Sequence, residues 1–168
     1  MTTYIALLRA VNVGGTGKLG MADLKTMCAE AGFGRIETYI ASGNVVFESK
    51  GSASRVQAEL ESRLRRPGQR PIQVFVRTAH ELQEVLRDNP FPKAKLGLTY
   101  VFFLGIEPPP DATSNVQHRA DEELRAGKRE IYVHYPLGMG QSKLVIPAAK
   151  NATARNMNTV AKLVAMSS

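Results

Sequence analysis

Hydrophobic residues in the first half of the chain recur with two different periods. A run of adjacent apolar residues or a strict alternation indicates a strand, whereas apolar residues every three or four positions indicate a helix. The pattern predicts a strand at residues 4–8, a helix at 21–31, strands at 35–40 and 44–48, a helix that Ser54 caps and that ends before Pro67, and a half-buried strand at 72–77. The two middle strands are close enough to form an antiparallel hairpin.

This order of elements, β-α-β-β-α-β, is that of the ferredoxin-like fold, also called the split βαβ unit or alpha-beta plait. In that fold the first and third strands lie in the centre of the sheet, and here they are among the most apolar of the four. The sequence therefore predicts an α+β protein whose first subdomain, residues 1–77, is ferredoxin-like.

The second half of the chain has a less regular pattern. Prolines break it around residues 89–92 and again at residues 108–110, where three prolines force an extended segment. The pattern predicts a helix at residues 78–87, a strand at 99–104, a helix at 115–124, a strand at 130–135, a weak helix at 142–149 and an amphipathic helix at 155–165. We interpret residues 78–168 as a second, degenerate ferredoxin-like α+β subdomain that packs on the first.

Basic residues outnumber acidic ones, mostly in the first half. The chain carries 22 Lys and Arg against 15 Asp and Glu, a formal net charge of +7 with a sequence pI near 9.8. Such a balance favours anionic partners, either nucleic acid or phosphorylated metabolites. The densest basic run is Arg63, Arg65, Arg66 and Arg70. It is either a nucleic-acid-binding patch or the solvated end of a helix, where cations are favoured in any case.

The single cysteine, Cys28, cannot form a disulfide within the chain, and no Cys/His cluster has the spacing of a zinc site. Cys28 falls on one helical stripe with Leu24 and Met27, which predicts a buried, unreactive thiol. No segment is apolar enough for a membrane span, and Arg9 interrupts the early apolar run that a signal peptide would need. We therefore expect a cytoplasmic protein with no metal and no membrane partner.

A glycine-rich stretch at residues 14–18 lies between a predicted strand and a predicted helix, where a phosphate-binding loop would lie. It does not match the Walker A pattern, because Asn12 stands where the first glycine is required and Leu19 where a Ser or Thr would hold magnesium. A weaker hypothesis survives, in which backbone amides, Lys18 and the helix N-terminus receive an anion. The alternative is a loop whose glycines serve only its backbone conformation.

RNA-recognition domains share the predicted order of elements and stack bases on aromatic side chains of the first and third strands. Tyr4 and Phe47 are the aromatic residues on those strands here, and the basic and aromatic signature of that module is absent. This role is disfavoured.

Polar residues are grouped at the start of the last predicted helix. With Thr153 as N-cap, Arg155, Asn158, Thr159 and Lys162 share the face opposite the apolar one. Donors at the positive end of a helix dipole suit an anionic ligand, and the alternative is a solvated surface.

No catalytic motif is evident, so whether the protein is an enzyme stays open and no cofactor is indicated. His80, His118 and His134 have no Ser, Cys or Asp at a recognisable spacing. The acidic run at residues 121–123 is typical of a solvated turn of a helix.

Three blocks of the sequence together resemble a bacterial family of unknown function, domain of unknown function 1697. The blocks are residues 6–15 (ALLRAVNVGG), 38–47 (TYIASGNVVF) and 153–160 (TARNMNTV). The resemblance implies two ferredoxin-like subdomains and no assigned activity. It also shows a departure, since the family usually has Trp where this chain has Met157. That Trp is either a stacking surface for a ligand, lost here, or a core residue that Met replaces mildly.

Polar residues in and beside these blocks are the candidates for a ligand site, and we expect some of them to meet in one cleft. The candidates are Arg9, Asn12, Lys18, Ser42, Asn44, Arg155, Asn156 and Asn158. The leading hypothesis is binding of an anionic small molecule, a nucleotide or a phosphorylated metabolite. The alternatives are sequence-independent nucleic-acid binding through the basic run, and a regulatory module that forms a homodimer through a sheet face or edge.

Overall fold

The computed structural model describes residues 1–9, 19–40 and 42–168 and shows the predicted α+β class. Within these ranges the chain forms eight β-strands and four α-helices. The strands are β1 (Thr2–Leu8), β2 (Gly34–Thr38), β3 (Asn44–Ser49), β4 (Val74–Thr78), β5 (Thr99–Phe103), β6 (Glu123–Ala126), β7 (Glu130–His134) and β8 (Thr153–Asn156). The helices are α1 (Met21–Glu30), α2 (Ala53–Leu64), α3 (Ala79–Arg87) and α4 (Met157–Met166).

The chain divides into two compact units. One consists of Met1–Gln83 together with Leu163–Ser168, and the other consists of Glu84–Lys162. Each unit contains one four-stranded antiparallel sheet.

The sheet of the first unit has the strand order β2-β3-β1-β4, so the most apolar strands, β1 and β3, are central. The register of this central pair places Tyr4 opposite Phe47 and Leu7 opposite Asn44. β2 and β3 form the predicted hairpin. A central strand pairs with a neighbour on both edges, so its backbone N–H and C=O groups stay hydrogen-bonded when its apolar faces are buried.

The aromatic residues of the central strands lie in the core of the first unit. Tyr4 and Phe47 are buried with side chains of α1 and α2, and their ring centroids are 6.0 Å apart. Phe33 stacks on Phe47 at 4.4 Å, and the Tyr4 hydroxyl donates to the Gly51 carbonyl at 2.7 Å. These rings fill space in the core, so neither is a surface on which a base can stack.

The cap of α2 is Ser52, and the prediction of Ser54 is wrong. Ser52 has the extended backbone that a cap requires, and its Oγ accepts a hydrogen bond from the Arg55 N–H at 3.3 Å. Ser54 lies inside the first turn because the helix already begins at Ala53.

β4 is buried on both faces, whereas the sequence predicts burial of one face. Val74 and Val76 join the core of the first unit. Phe75 and Arg77, on the other face, are also buried, and Arg77 Nη1 donates to the Val76 carbonyl at 3.1 Å. In an alternating strand an arginine usually indicates the solvent-exposed face. Arg77 is buried, so this rule fails here.

The sheet of the second unit has the order β6-β7-β5-β8, which repeats the order of the first sheet when β5 to β8 replace β1 to β4. β5 and β7 lie where the sequence predicts strands. β6 and β8 are missed by the sequence pattern because each is only four residues long, too short for an alternation to stand out.

Residues 115–124 do not form the predicted helix. Gln117 instead forms an isolated antiparallel bridge, and Leu124 lies in β6 opposite Val133. Strand pairing engages Gln117 and residues 123–124 of this segment, and burial of Leu124 outweighs its local helix preference.

The weak helix predicted at residues 142–149 is also absent. The segment keeps one 3-10 turn, Pro147–Ala149, and Val145 pairs with Gln117 through two backbone hydrogen bonds of 2.9 Å. Pro147 has no N–H, and the bridge holds Val145 in an extended conformation, so an α-helix cannot form through both residues.

The last helix begins at Met157, and Asn156 caps it in place of the predicted Thr153. Asn156 Oδ1 accepts a hydrogen bond from the Thr159 N–H at 3.0 Å. Thr153 and Arg155 belong to β8, because pairing with β5 keeps the backbone extended up to the cap. Arg155 is therefore buried in a sheet and does not lie on the polar face of the helix.

The two serines at the start of α2 allow a direct test. We expect Ser52→Ala to lower the free energy of unfolding by about 1 kcal/mol, because the cap is lost. The matched change Ser54→Ala should alter it by less than about 0.5 kcal/mol, since the exposed Ser54 hydroxyl lies 3.3 Å from the capping Oγ but does not itself accept a backbone N–H of the helix. Urea unfolding followed by circular dichroism measures both values. Equal losses in the two variants would contradict the assignment.

Candidate ligand-binding site

Arg9, Ser42 and Asn44, three of the residues predicted for a ligand site, lie at one end of the first sheet. The Leu8 N–H donates to the Gly43 carbonyl at 2.9 Å, which joins the end of β1 to the hairpin. The Arg9 N–H donates to the Gln73 carbonyl at 2.9 Å, next to the start of β4. The backbone thus brings Arg9 beside the hairpin. Asn12, Lys18 and the glycine-rich stretch lie outside the described residues.

Asn44 supports the hairpin turn. It is fully buried, and its Nδ2 donates to the Tyr39 carbonyl at 2.9 Å and to Ser42 Oγ at 3.1 Å. The turn needs this support because Ile40, which is not glycine, has a φ of 49°. Ser42 is exposed. The polar character of this sequence block therefore has a structural cause in addition to any ligand.

The other predicted residues belong to the second unit. Arg155 donates through Nη1 to Thr153 Oγ1 at 2.7 Å and to the Ala154 carbonyl at 2.9 Å, and burial lowers its pKa to about 10. Asn158 is exposed at the start of α4. Met157 is completely buried, so in this chain the position of the family's usual Trp is a core position.

The arginines of the basic run are not equivalent. Arg63 forms ion pairs with Glu59 at 2.7 Å and with Glu30 at 3.7 Å. Arg65 and Arg70 are exposed, and Arg65 is the residue that ends α2. A run that mixes with acidic partners is typical of a solvated helix terminus.

Other kinds of site find little support in the part of the chain that the structure describes. That part contains no group of three or more His, Cys, Asp or Glu arranged to hold a metal ion. None of its helices has the length and apolar character to cross a membrane. Cys28 is buried as predicted, and burial raises the pKa of its thiol to about 12, which removes the reactive thiolate at neutral pH.

A pocket of about 530 Å³ opens in the second unit, a volume typical of small-molecule sites. Its walls are parts of two segments, residues 118–122 and residues 135–143. The first segment leads into β6 and the second leaves β7. Because these strands are paired, with Glu123 opposite His134, the walls meet at one end of the sheet.

Backbone geometry fixes both walls. The bridge between Gln117 and Val145 ties the two segments together just outside the pocket. His118 and Gly138 have positive φ angles of 57° and 88°. For histidine this conformation costs energy and persists only where the surrounding structure imposes it, as is common at binding sites.

Glu122 links the walls through its side chain. Its Oε1 accepts the Ala120 N–H at 2.6 Å, and its Oε2 accepts the hydroxyl of Ser142 from the opposite wall. The Ser142 hydrogen bond, followed by that of Ala120, holds the pKa of Glu122 below its usual range. Glu122 is buried, so the prediction of a solvated acidic helix turn is wrong. The carboxylate is tolerated there because donors surround it.

Several donors in the lining remain available. Arg119 donates through Nε to the Glu122 carbonyl at 2.7 Å, and its charge contributes to the lowered pKa of Glu122. Its terminal amino groups and the Lys143 ammonium are exposed and make no hydrogen bond to the described residues. The Tyr135 hydroxyl likewise has none in the described ranges. Burial, then the charge of Glu122, raises the pKa of Tyr135 to about 12, so its phenol keeps its proton at neutral pH.

A second cleft, of about 290 Å³, adjoins the pocket, and Tyr135 and Ser142 line both. Tyr100 packs edge to face on Tyr135 at 5.6 Å and steadies this shared wall. The rest of the lining is apolar and consists of Phe102, Met139, Leu144, Val145, Ile146 and Ala149.

Comparison with known proteins agrees with the resemblance of the first two sequence blocks, whereas the third block, residues 153–160, lies beyond the matched range. Residues 1–132 match the family described as protein of unknown function (DUF1697). The chain belongs to this family. Among solved structures it is similar to the conserved bacterial protein SP0830 from Streptococcus pneumoniae, with 25% identity, a TM-score of 0.81 and coverage of 99% of each chain. No curated protein matches the sequence.

The DUF1697 match ends between the two walls of the pocket. Residues 118–122 lie inside the matched range and residues 135–143 lie beyond it. Pro136, Gly138 and Gly140 indicate a loop in the second wall from sequence alone. The pairing of β6 with β7 decides which side chains this loop faces, and the sequence pattern does not predict β6.

The link between the walls can be tested through the pH dependence of stability. Because the pKa of Glu122 is lowered on folding, its contribution is present above the unfolded-chain value of about 4.3 and is lost as the pH falls through the folded value. We expect Ser142→Ala to lower the free energy of unfolding by about 1–3 kcal/mol at neutral pH. The deficit should shrink as the pH drops below about 4.

Urea unfolding at a series of pH values measures this difference. Ser142→Thr keeps the hydroxyl and serves as the matched control, with stability expected near that of the unmodified protein. A Ser142→Ala deficit that does not change with pH would show that the hydroxyl does not act through the carboxylate.

Proposed function

We propose that this protein binds a small anion in the pocket between residues 118–122 and 135–143. The surplus of donors in the lining carries the proposal. Arg119, Lys143 and Tyr135 have donors without partners among the described residues, while the donors around Glu122 satisfy that carboxylate internally. An anion supplies the acceptors that this set lacks. The net charge of +7 favours the approach of such a ligand.

The charges of the lining limit the ligand. Arg119 and Lys143 are positive, and Asp121 is an exposed carboxylate in the same lining. Glu122 is a second carboxylate of the lining and is ionised at neutral pH, so the two cations and the two carboxylates offset each other. A singly charged ligand is therefore repelled less by Asp121 and Glu122 than a doubly charged one.

The pocket supports binding better than it supports nucleophilic catalysis. The Ser142 hydroxyl already donates a hydrogen bond to Glu122 and accepts one from the Leu144 N–H at 3.1 Å. A carboxylate whose pKa is lowered is a weak base, so Glu122 does not activate the Ser142 hydroxyl.

The fold proposal accompanies the functional one. We interpret residues 1–77 and 78–168 as two ferredoxin-like subdomains. The strand order β2-β3-β1-β4 and its repetition in β6-β7-β5-β8 support this interpretation. In the second unit irregular segments stand where the first has α1 and α2. A cytoplasmic location is compatible with the single buried cysteine.

The end of the first sheet is a separate candidate for anion binding. Arg9 is only partly buried and Ser42 is exposed, and the backbone holds both beside the hairpin. Nucleic-acid binding through the basic run is less favoured, because Arg63 is already paired with acidic residues.

One experiment separates these sites. We expect acetate, added to the 15N-labelled protein, to shift backbone amide resonances of residues 118–122, 135 and 137–143 saturably, and inorganic phosphate, tested separately, to bind more weakly. Lys143→Gln should weaken binding about tenfold, since a charge-assisted hydrogen bond is lost.

Lys93→Gln is the matched control, because Lys93 is an exposed lysine of the same unit that does not line the pocket. Its affinity for acetate should equal that of the unmodified protein. Equal weakening in both variants would mean that only overall charge matters. Shifts confined to residues 9 and 42–44 would move the anion site to the first sheet.

A further inference from the structure

The adjoining apolar cleft narrows the class of ligand, on the condition that the proposed function holds. We propose that the ligand is an organic monocarboxylate with an apolar tail, whose carboxylate binds in the 530 Å³ pocket and whose tail fills the 290 Å³ cleft beside it.

The closeness of the two spaces is the first support. Tyr135 and Ser142 line both of them, so the charged lining and the apolar lining lie beside the same two residues, and a ligand that spans these residues would meet both linings. Both residues are fixed, Ser142 by Glu122 and Tyr135 by a backbone hydrogen bond of 2.8 Å to the Leu98 carbonyl. The ligand therefore meets a preformed junction and not one that must be ordered on binding.

The apolar lining is the second support. Val145 lines the cleft and is 45% exposed, and Leu137 lines the pocket and is 72% exposed. Covering large apolar side chains with a hydrocarbon removes them from water and lowers the free energy of the complex. Met139, which is unbranched and flexible, suits a cleft that receives tails of varied shape.

The head group follows from charge and shape. Arg119 presents a planar guanidinium whose terminal amino groups match the two oxygens of a carboxylate. Asp121 and the buried Glu122 disfavour a doubly charged phosphate at the same place. A carboxylate carries a single charge, so Asp121 and Glu122, which already offset the charges of Lys143 and Arg119, repel it less than they repel a phosphate dianion.

Binding of acetate, butanoate and hexanoate, measured by calorimetry or by NMR titration, tests the tail. We expect Kd to fall two- to four-fold, on the order of the transfer free energy of one methylene, for each CH2 added until the cleft is filled. Hexan-1-ol, which has the same tail without the charge, should bind about tenfold more weakly than hexanoate.

Ala149→Leu is the variant that separates tail from head, because Ala149 lines the cleft and not the pocket. It should weaken hexanoate binding about tenfold and leave acetate binding unchanged. If Ala149→Leu does not fold, Val145→Gln at an exposed position of the same cleft replaces it, with the same expected pattern.

The outcomes distinguish the two proposals. A Kd that is independent of tail length, with acetate binding lost in Lys143→Gln, keeps the anion site and overturns the tail. Hexan-1-ol binding as tightly as hexanoate, with no effect of Lys143→Gln, overturns the anion site. No binding of any acid overturns both.

Discussion

A carboxylate removed from water needs hydrogen-bond donors around it. In the second unit Glu122 receives these donors from two separate loops. Ala120 supplies a backbone donor from the same loop, and Ser142 supplies a hydroxyl from the loop that follows β7. The same charge helps to keep the phenol of Tyr135 protonated. One buried charge thus fixes the distance between the walls, orders their donors and leaves Arg119 and Lys143 available for an external anion.

The contrast between the two units explains how the pocket of the second unit arises. Helices α1 and α2 cover a face of the first sheet with regular side-chain stripes, and their backbones satisfy themselves. In the second unit the chain between β5 and β6, and again between β7 and β8, has no α-helix. Such segments pair through single bridges, as Gln117 and Val145 do, and pack less regularly than helices. Clefts with polar walls are the result.

Several residues show how far local patterns reach. Leu24 and Cys28 lie in the core, as their helical stripe predicts, because the helix period alone decides which side chains share a face. Arg155 and Glu122 were assigned to solvent, because a charged side chain by itself indicates exposure. Both are buried, and each is compensated by partners that become neighbours only after folding, such as Thr153 Oγ1 for Arg155. Asn44 sits in one of the family's sequence blocks, and its amide holds a turn.

By itself, the sequence determined the α+β class, the order of elements through β4, the central position of β1 and β3, and membership of a family through the blocks at residues 6–15 and 38–47. These depend on hydrophobic periods and short motifs, which act over a few residues. Only the tertiary structure decided that Gln117 pairs with Val145, that β6 begins at Glu123 and that Glu122 meets Ser142, 20 positions away. Such contacts depend on which strands become neighbours, and no period within one segment encodes that choice.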